Sequence, residues 1–156
     1  MWWRLKRSQF ERQKGEKNRK ALKRIVRSGK VPGILGYIDG QPVAWCSIAP
    51  RGEFSTLERS RVLARIDDRR VWSVVCFFVL RSFRQRGVTV SMLKAAVKYA
   101  RKRGAKIVEG YPVMPKSGRI PDVFAWTGLA SAFRQAGFKE IVRRSATRPI
   151  MRYSIR

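Results

Sequence analysis

The chain has 156 residues, 44% of them hydrophobic, and its 36 lysines and arginines against 10 acids give a net charge of +26. This is one domain's worth of chain, residues 1–156, with enough apolar side chains to bury a core, which excludes a disordered basic tail. No apolar run is long enough to span a bilayer, so no membrane partner is expected. The absence of histidine excludes serine–histidine and cysteine–histidine pairs and a histidine base, leaving carboxylates, tyrosine, an amine or water for proton transfer.

Met1–Lys14 is basic, with Trp2, Trp3, Leu5 and Phe10 as anchors. Charges follow the first three residues at once, so the start is not a signal peptide, and a cytoplasmic protein is expected. Asn18–Ser28 predicts a helix with Ala21, Leu22, Ile25 and Val26 at core spacing and Gly29 as its stop. Gly33–Tyr37 and Val43–Ile48 flank Asp39-Gly40, a strong hairpin signal, and Pro50 ends the pair. Arg51–Arg70 is a long connection in which Ser55–Leu63 predicts a short helix, Leu57 and Val62 or Leu63 facing inward. Glu53, Glu58, Asp67 and Asp68 concentrate acid there, either to pair with neighbouring arginines or to attract an amine.

Val74–Leu80 is rich in β-branched and aromatic residues and too short for a buried helix, so it predicts a buried strand. The basic turn Arg84-Gln85-Arg86-Gly87 follows, and then a helix with Val90, Leu93, Val97 and Ala100 on one face, capped by Gly104. The N–H groups of a helix's first turn lack intrahelical partners and its dipole is positive there, so residues 84–90 are either a phosphate or pyrophosphate site or an ordinary strand–turn–helix corner with exposed arginines. Lys106–Val113 predicts another strand, parallel to the first through a right-handed crossover. Glu109 and Tyr111 fall two apart on one face near its carboxyl end, where open α/β sheets place ligands. A carboxylate inside an apolar strand is either paired, most often with arginine, or has a chemical task. Met114–Val123 reads as a loop, Phe124–Ala136 as a helix ending at Gly137-Phe138, and Lys139–Arg143 and Pro149–Ile155 as two closing strands. Cys46 and Cys76 sit in strand-like runs as small buried thiols rather than as a disulfide or nucleophile, and no metal is expected.

The stretch Arg84-Gln85-Arg86-Gly87-Val88-Thr89, with Val79 and the aromatic Phe83 before it, resembles the acetyl-CoA signature of the GNAT superfamily of N-acetyltransferases. Thr89 replaces that motif's final small residue, and Arg81 stands where the family often has proline. The resemblance covers most of the chain. It implies an α/β domain whose mixed, mostly antiparallel sheet is splayed beside the central strand, with helices on both faces. It also implies a strand before the first helix, for which Met1–Lys14 leaves almost no room. Trp2 and Trp3 are therefore expected to end a strand shortened by a truncated start or by divergence, which leaves Gly33–Tyr37 as an edge open to pairing with a second copy.

What the resemblance implies for function is transfer of an acetyl group from acetyl-CoA to an amine acceptor by direct attack. The pyrophosphate would lie on the N–H groups from Gln85 to Val90, and the backbone of Phe78 and Val79 would pair with the pantetheine. The first helix would border the acceptor. The family's frequent tyrosine, which protonates the departing thiolate, aligns with Phe133, and its frequent asparagine with Trp126. Glu109 is then the first choice of base, directly or through water, and Tyr111 the remaining phenol. The rival reading is a non-catalytic RNA- or ribosome-binding module on the same scaffold, drawn from the +26 charge, with a basic proteome or solubility bias as the plain alternative.

Overall fold

The computed structural model describes residues 1–115 and 121–156. Six strands form one sheet in the order β1-β2-β3-β4-β6-β5. These are β1 (Ile34–Ile38), β2 (Gln41–Pro50), β3 (Trp72–Val79), β4 (Ile107–Gly110), β5 (Lys139–Arg143) and β6 (Pro149–Ser154). The helices are α1 (Arg7–Arg12), α2 (Glu16–Arg27), α3 (Ser55–Glu58), α4 (Val88–Lys102) and α5 (Ala130–Gln135). Among the described strands β3 and β4 pair in parallel and the other pairings are antiparallel.

The Asp39-Gly40 turn joins β1 to β2 with both residues at positive φ, 48° and 76°, as a two-residue hairpin requires. β1 pairs with β2 alone and leaves its outer edge unpaired among the described residues. One core cluster, built on Cys46, Ile48, Val74, Phe77 and Leu93, lies between the sheet and α4 and α5. The other, with Trp3, Phe54, Leu57, Val75 and Tyr111, packs the N-terminal segment and α3 on the opposite face. Cys46 and Cys76 are free thiols, associated with different clusters.

The feature that positions the site is a bulge. The β2–β3 register passes from Ser47↔Cys76 to Ile48↔Val74, so Val75 has no opposite number. An extra residue bends a strand and increases its local twist. Here it falls next to the last β3–β4 pair, Val74↔Gly110, and beyond that point the two strands part. The wedge is filled by the backbone of a turn, Ala125–Gly128, and of the Leu129 that follows it: Phe77 N–H donates to the Trp126 carbonyl at 2.7 Å, and Val113 N–H to the Gly128 carbonyl at 2.8 Å. The Phe133 ring seals the wedge from below, against Phe77 and Phe138, and a Cβ on Gly110 would collide with it. Gly110→Ala is accordingly expected to destabilise the fold by about 1–3 kcal/mol, the usual cost of overpacking, as measured by urea unfolding.

Several expectations are corrected. Trp2 and Trp3 end no strand; they lie in turns, with Trp3 buried and Trp2 edge-on to Phe10 of α1. None of the four apolar residues of α2 is buried in the core: Ala21, Leu22 and Ile25 are half-buried and Val26 stays 55% exposed. The helix of 55–63 stops after Glu58, although Leu57 and Leu63 are buried. The helix of 124–136 begins only at Ala130, because Ala125–Gly128 forms a turn, with Gly128 at φ 85°, whose carbonyls serve the wedge, and Phe124 is left 60% exposed. The loop expected at 114–123 falls partly outside the described residues.

Candidate active site

A groove of about 670 Å³ opens where β3 and β4 part. One wall is Phe77, Phe78 and Val79 of β3, continuing through the turn to the first residues of α4; the other is Asp122, Ala125, Trp126 and α5. Of the residues singled out in the sequence, Phe78, Val79, Arg84, Gln85, Gly87, Val88, Thr89, Val90 and Trp126 line it.

At the head of α4 the turn is held open by two left-handed residues, Gln85 at φ 61° and Gly87 at φ 74°. Val90 and Ser91 N–H groups both return to the Gly87 carbonyl, at 3.0 and 3.1 Å. The N–H groups of Gln85, Arg86, Gly87, Val88 and Thr89 donate no hydrogen bond among the described residues. Successive unpartnered amides around a left-handed turn form a concave site for an anion, reinforced by the helix dipole. The donor run is therefore Gln85–Thr89, one residue shorter than expected, since Val90 is satisfied internally.

The β3 backbone supplies a second edge. Phe77 N–H points across the wedge and Leu80 N–H points to the Val43 carbonyl of β2, so alternation aims the Val79 amide at the groove. The Val79 carbonyl accepts from Arg84 Nε at 3.0 Å, and Arg84 Nη1 reaches Asp122 Oδ2 at 2.9 Å, joining the two walls. Phe78 is 55% exposed, with no element of the described residues covering the strand there.

Four singled-out residues lie elsewhere. Arg86 projects outward, its guanidinium 5.7 Å from the Phe83 ring centre. Phe133 is fully buried beneath the groove, whose α5 wall is Ser131, Ala132 and Gln135 instead. Glu109 and Tyr111 are buried and do not line the groove, Tyr111 belonging to the cluster on the sheet face opposite α4 and α5. Glu109 Oε1 accepts from Arg51 Nη1 at 3.0 Å and from the Tyr111 hydroxyl at 2.7 Å, and Oε2 accepts from Arg152 Nε at 2.7 Å. Arg51 also bonds Glu58 and the Leu57 and Leu63 carbonyls, and Arg152 bonds Asp67. Burial, and then the Glu109 charge, push the Tyr111 phenol well above its ordinary range, which makes it a weak acid. Three of the four acids of the long connection thus pair with arginines, Glu53 with Arg4, Glu58 with Arg51 and Arg65, and Asp67 with Arg152, whereas Asp68 forms no ion pair among the described residues.

Sequence reasoning missed Arg51, Arg152 and Asp122. In a chain with 36 cations, nothing local marks the two arginines that are buried, and Asp122 acquires meaning only opposite Arg84. The described residues hold no group of three metal-ligating side chains and no helix long and apolar enough to cross a membrane.

The sheet is splayed beside a bulged central strand, and an amide-lined turn opens the next helix at the gap. The family model of the acetyltransferase (GNAT) family matches residues 1–113, and the chain belongs to that family, whose members use acetyl-CoA as co-substrate. Solved structures share the fold. A GNAT-family acetyltransferase from Streptococcus agalactiae superposes with TM-score 0.59 at 12% identity, over 95% of this chain and 78% of that one. A ribosomal-protein-alanine N-acetyltransferase from Brucella melitensis gives 0.54 at 17%, over 90% and 78%. AAC(6')-Ib, solved with paromomycin and acetyl-CoA, gives 0.51 at 13%, over 77% and 62%. Sequence comparison with curated proteins finds no match.

Proposed function

We propose that the groove binds acetyl-CoA and that the protein transfers its acetyl group to an amine by direct attack. The observation that carries this reading is the run of unpartnered N–H groups from Gln85 to Thr89 beside an open strand edge at Val79. A pyrophosphate fits the amide run by charge and by donor direction, and the Val79 amide is free to pair with an extended chain. In the transfer, the amine lone pair forms a bond to the thioester carbonyl carbon, the C–S bond breaks, and the thiolate leaves with the electron pair. A thiol of pKa about 8.5 leaves without a protonating side chain, so phenylalanine at position 133 is no obstacle.

The remaining task is to take a proton from the ammonium. Glu109 is either the base or an anchor for the arginines around it. Its three hydrogen bonds and its place outside the groove lining support the anchor, and solvent in the open groove then accepts the proton. Isothermal titration with acetyl-CoA, followed by a thiol-release screen over an amine library, tests the reading; no binding at micromolar protein would overturn it.

Asp122 puts a carboxylate near the proposed phosphate site and holds Arg84, both groups substantially exposed. Asp122→Asn should remove repulsion and free the guanidinium, tightening acetyl-CoA about twofold to fivefold, the scale of an exposed charge pair. Weaker binding in the same titration would mean that the pair shapes the turn.

A further inference from the structure

Helices α1 and α2 carry a charge that acetyl transfer does not use. Between Arg4 and Lys30 the sequence has twelve lysines and arginines against two glutamates. Arg4 is taken up by Glu53, Lys14 by Glu11, and Arg19 and Lys20 share Glu16. Lys23, Arg24 and Arg27 are exposed and form no ion pair among the described residues, and residues 116–120 contain no acid. Lys20, Lys23, Arg24 and Arg27 stand three, four and seven apart, so they share one side of the helix. With Glu16 and Arg19 they line a shallow hollow of about 480 Å³. Like charges at this spacing destabilise a helix, and α2 buries only Asn18, so little packing offsets their repulsion. A bound polyanion would.

We propose that Lys20, Lys23, Arg24 and Arg27 dock the phosphate backbone of double-helical RNA. A lipid surface is disfavoured because α2 has no apolar face to insert: Ala21, Leu22 and Ile25 are half-buried, and of its apolar side chains Val26 alone is exposed. Single strands are disfavoured because the aromatics of this region, Trp2 and Phe10, pack on each other, half-buried, instead of offering a stacking platform. A helix lying along its own domain does not reach the floor of a B-DNA major groove, whereas the wide, shallow minor groove of A-form RNA presents its phosphates to such a surface.

The proposal is independent of acetyl-CoA binding and is tested apart from it. The probe is a mixed-sequence RNA duplex of about 20 base pairs, longer than one double-stranded RNA-binding footprint, titrated by fluorescence anisotropy at two salt concentrations. The wild type should bind with an affinity falling log-linearly with salt. The variant K20E/K23E/R24E/R27E should lose roughly tenfold or more and show a shallower slope, with its acetyl-CoA affinity unchanged. K94E/K98E/K102E/K106E removes the same charge from exposed positions on and just after α4 and should lose much less. If reversal unfolds α2 by circular dichroism, the glutamine counterparts replace it, with the same ordering expected. Equal losses from the two sets would overturn the proposal in favour of a diffuse field. Equal affinity for a DNA duplex, or binding to phosphatidylserine vesicles without RNA binding, would overturn it as well.

Discussion

Glu109→Gln is expected to lower the stability of the fold by roughly 3 kcal/mol, toward the lower end of what breaking a buried ion pair costs. The carboxylate is 1% exposed and holds two guanidinium groups, Arg51 and Arg152, together with the Tyr111 hydroxyl. Glutamine keeps the shape but removes the charge, leaving two buried cations less compensated. The loss stays near the lower end because Arg51 keeps Glu58 and Arg152 keeps Asp67. The second readout is kcat/KM as a function of pH on the folded variant. An anchor predicts a loss that does not depend on pH. A general base predicts a loss of about 10²-fold or more that shrinks as pH rises and free amine becomes abundant. Unchanged stability together with that pH-dependent loss would make Glu109 the base.

Gly87→Val is expected to weaken acetyl-CoA binding by at least about tenfold, or 1.4 kcal/mol. Gly87 sits at φ 74°, and a Cβ there meets nothing within 4 Å, so the penalty comes from the backbone and not from crowding within the protein. A β-branched residue is strained in that conformation by about 1–3 kcal/mol. It can relieve the strain only by turning the amides of Gln85–Thr89 out of register or by losing the first turn of α4. Gly87→Asn separates the causes, because asparagine tolerates the left-handed region while still adding bulk. If the asparagine variant binds nearly as well as wild type and the valine variant does not, backbone conformation is what matters. Full affinity in a folded valine variant would remove the phosphate from this turn.

What the sequence by itself determined is whatever depends on neighbours a few residues apart. The apolar run of β3, the 3.6-residue periodicity of α4, the Asp39-Gly40 turn and Gly87 at the helix start are each written locally, and each is found where expected. So is the amide run, short of Val90, since a glycine between a strand and a helix leaves the first-turn N–H groups open. The charge is equally plain in the composition, but its distribution over the surface is not.

Only the tertiary structure decided the rest, because the partners are distant in sequence. Val75 is bulged by its register against β2, and nothing in Val74–Leu80 distinguishes it from its neighbours. Residues 126–129 fall inside the apolar stretch expected as a helix, yet the parted β3 and β4 leave unpaired backbone groups that this segment satisfies. Phe133 looks like a groove residue by its place in α5 and is drawn beneath it by the space above Gly110. Arg51, Glu109 and Arg152 come from three separate segments and meet only when β4 is laid between β3 and β6. Burying a carboxylate demands a cation, but which of 36 cations supplies it is settled by the strand order.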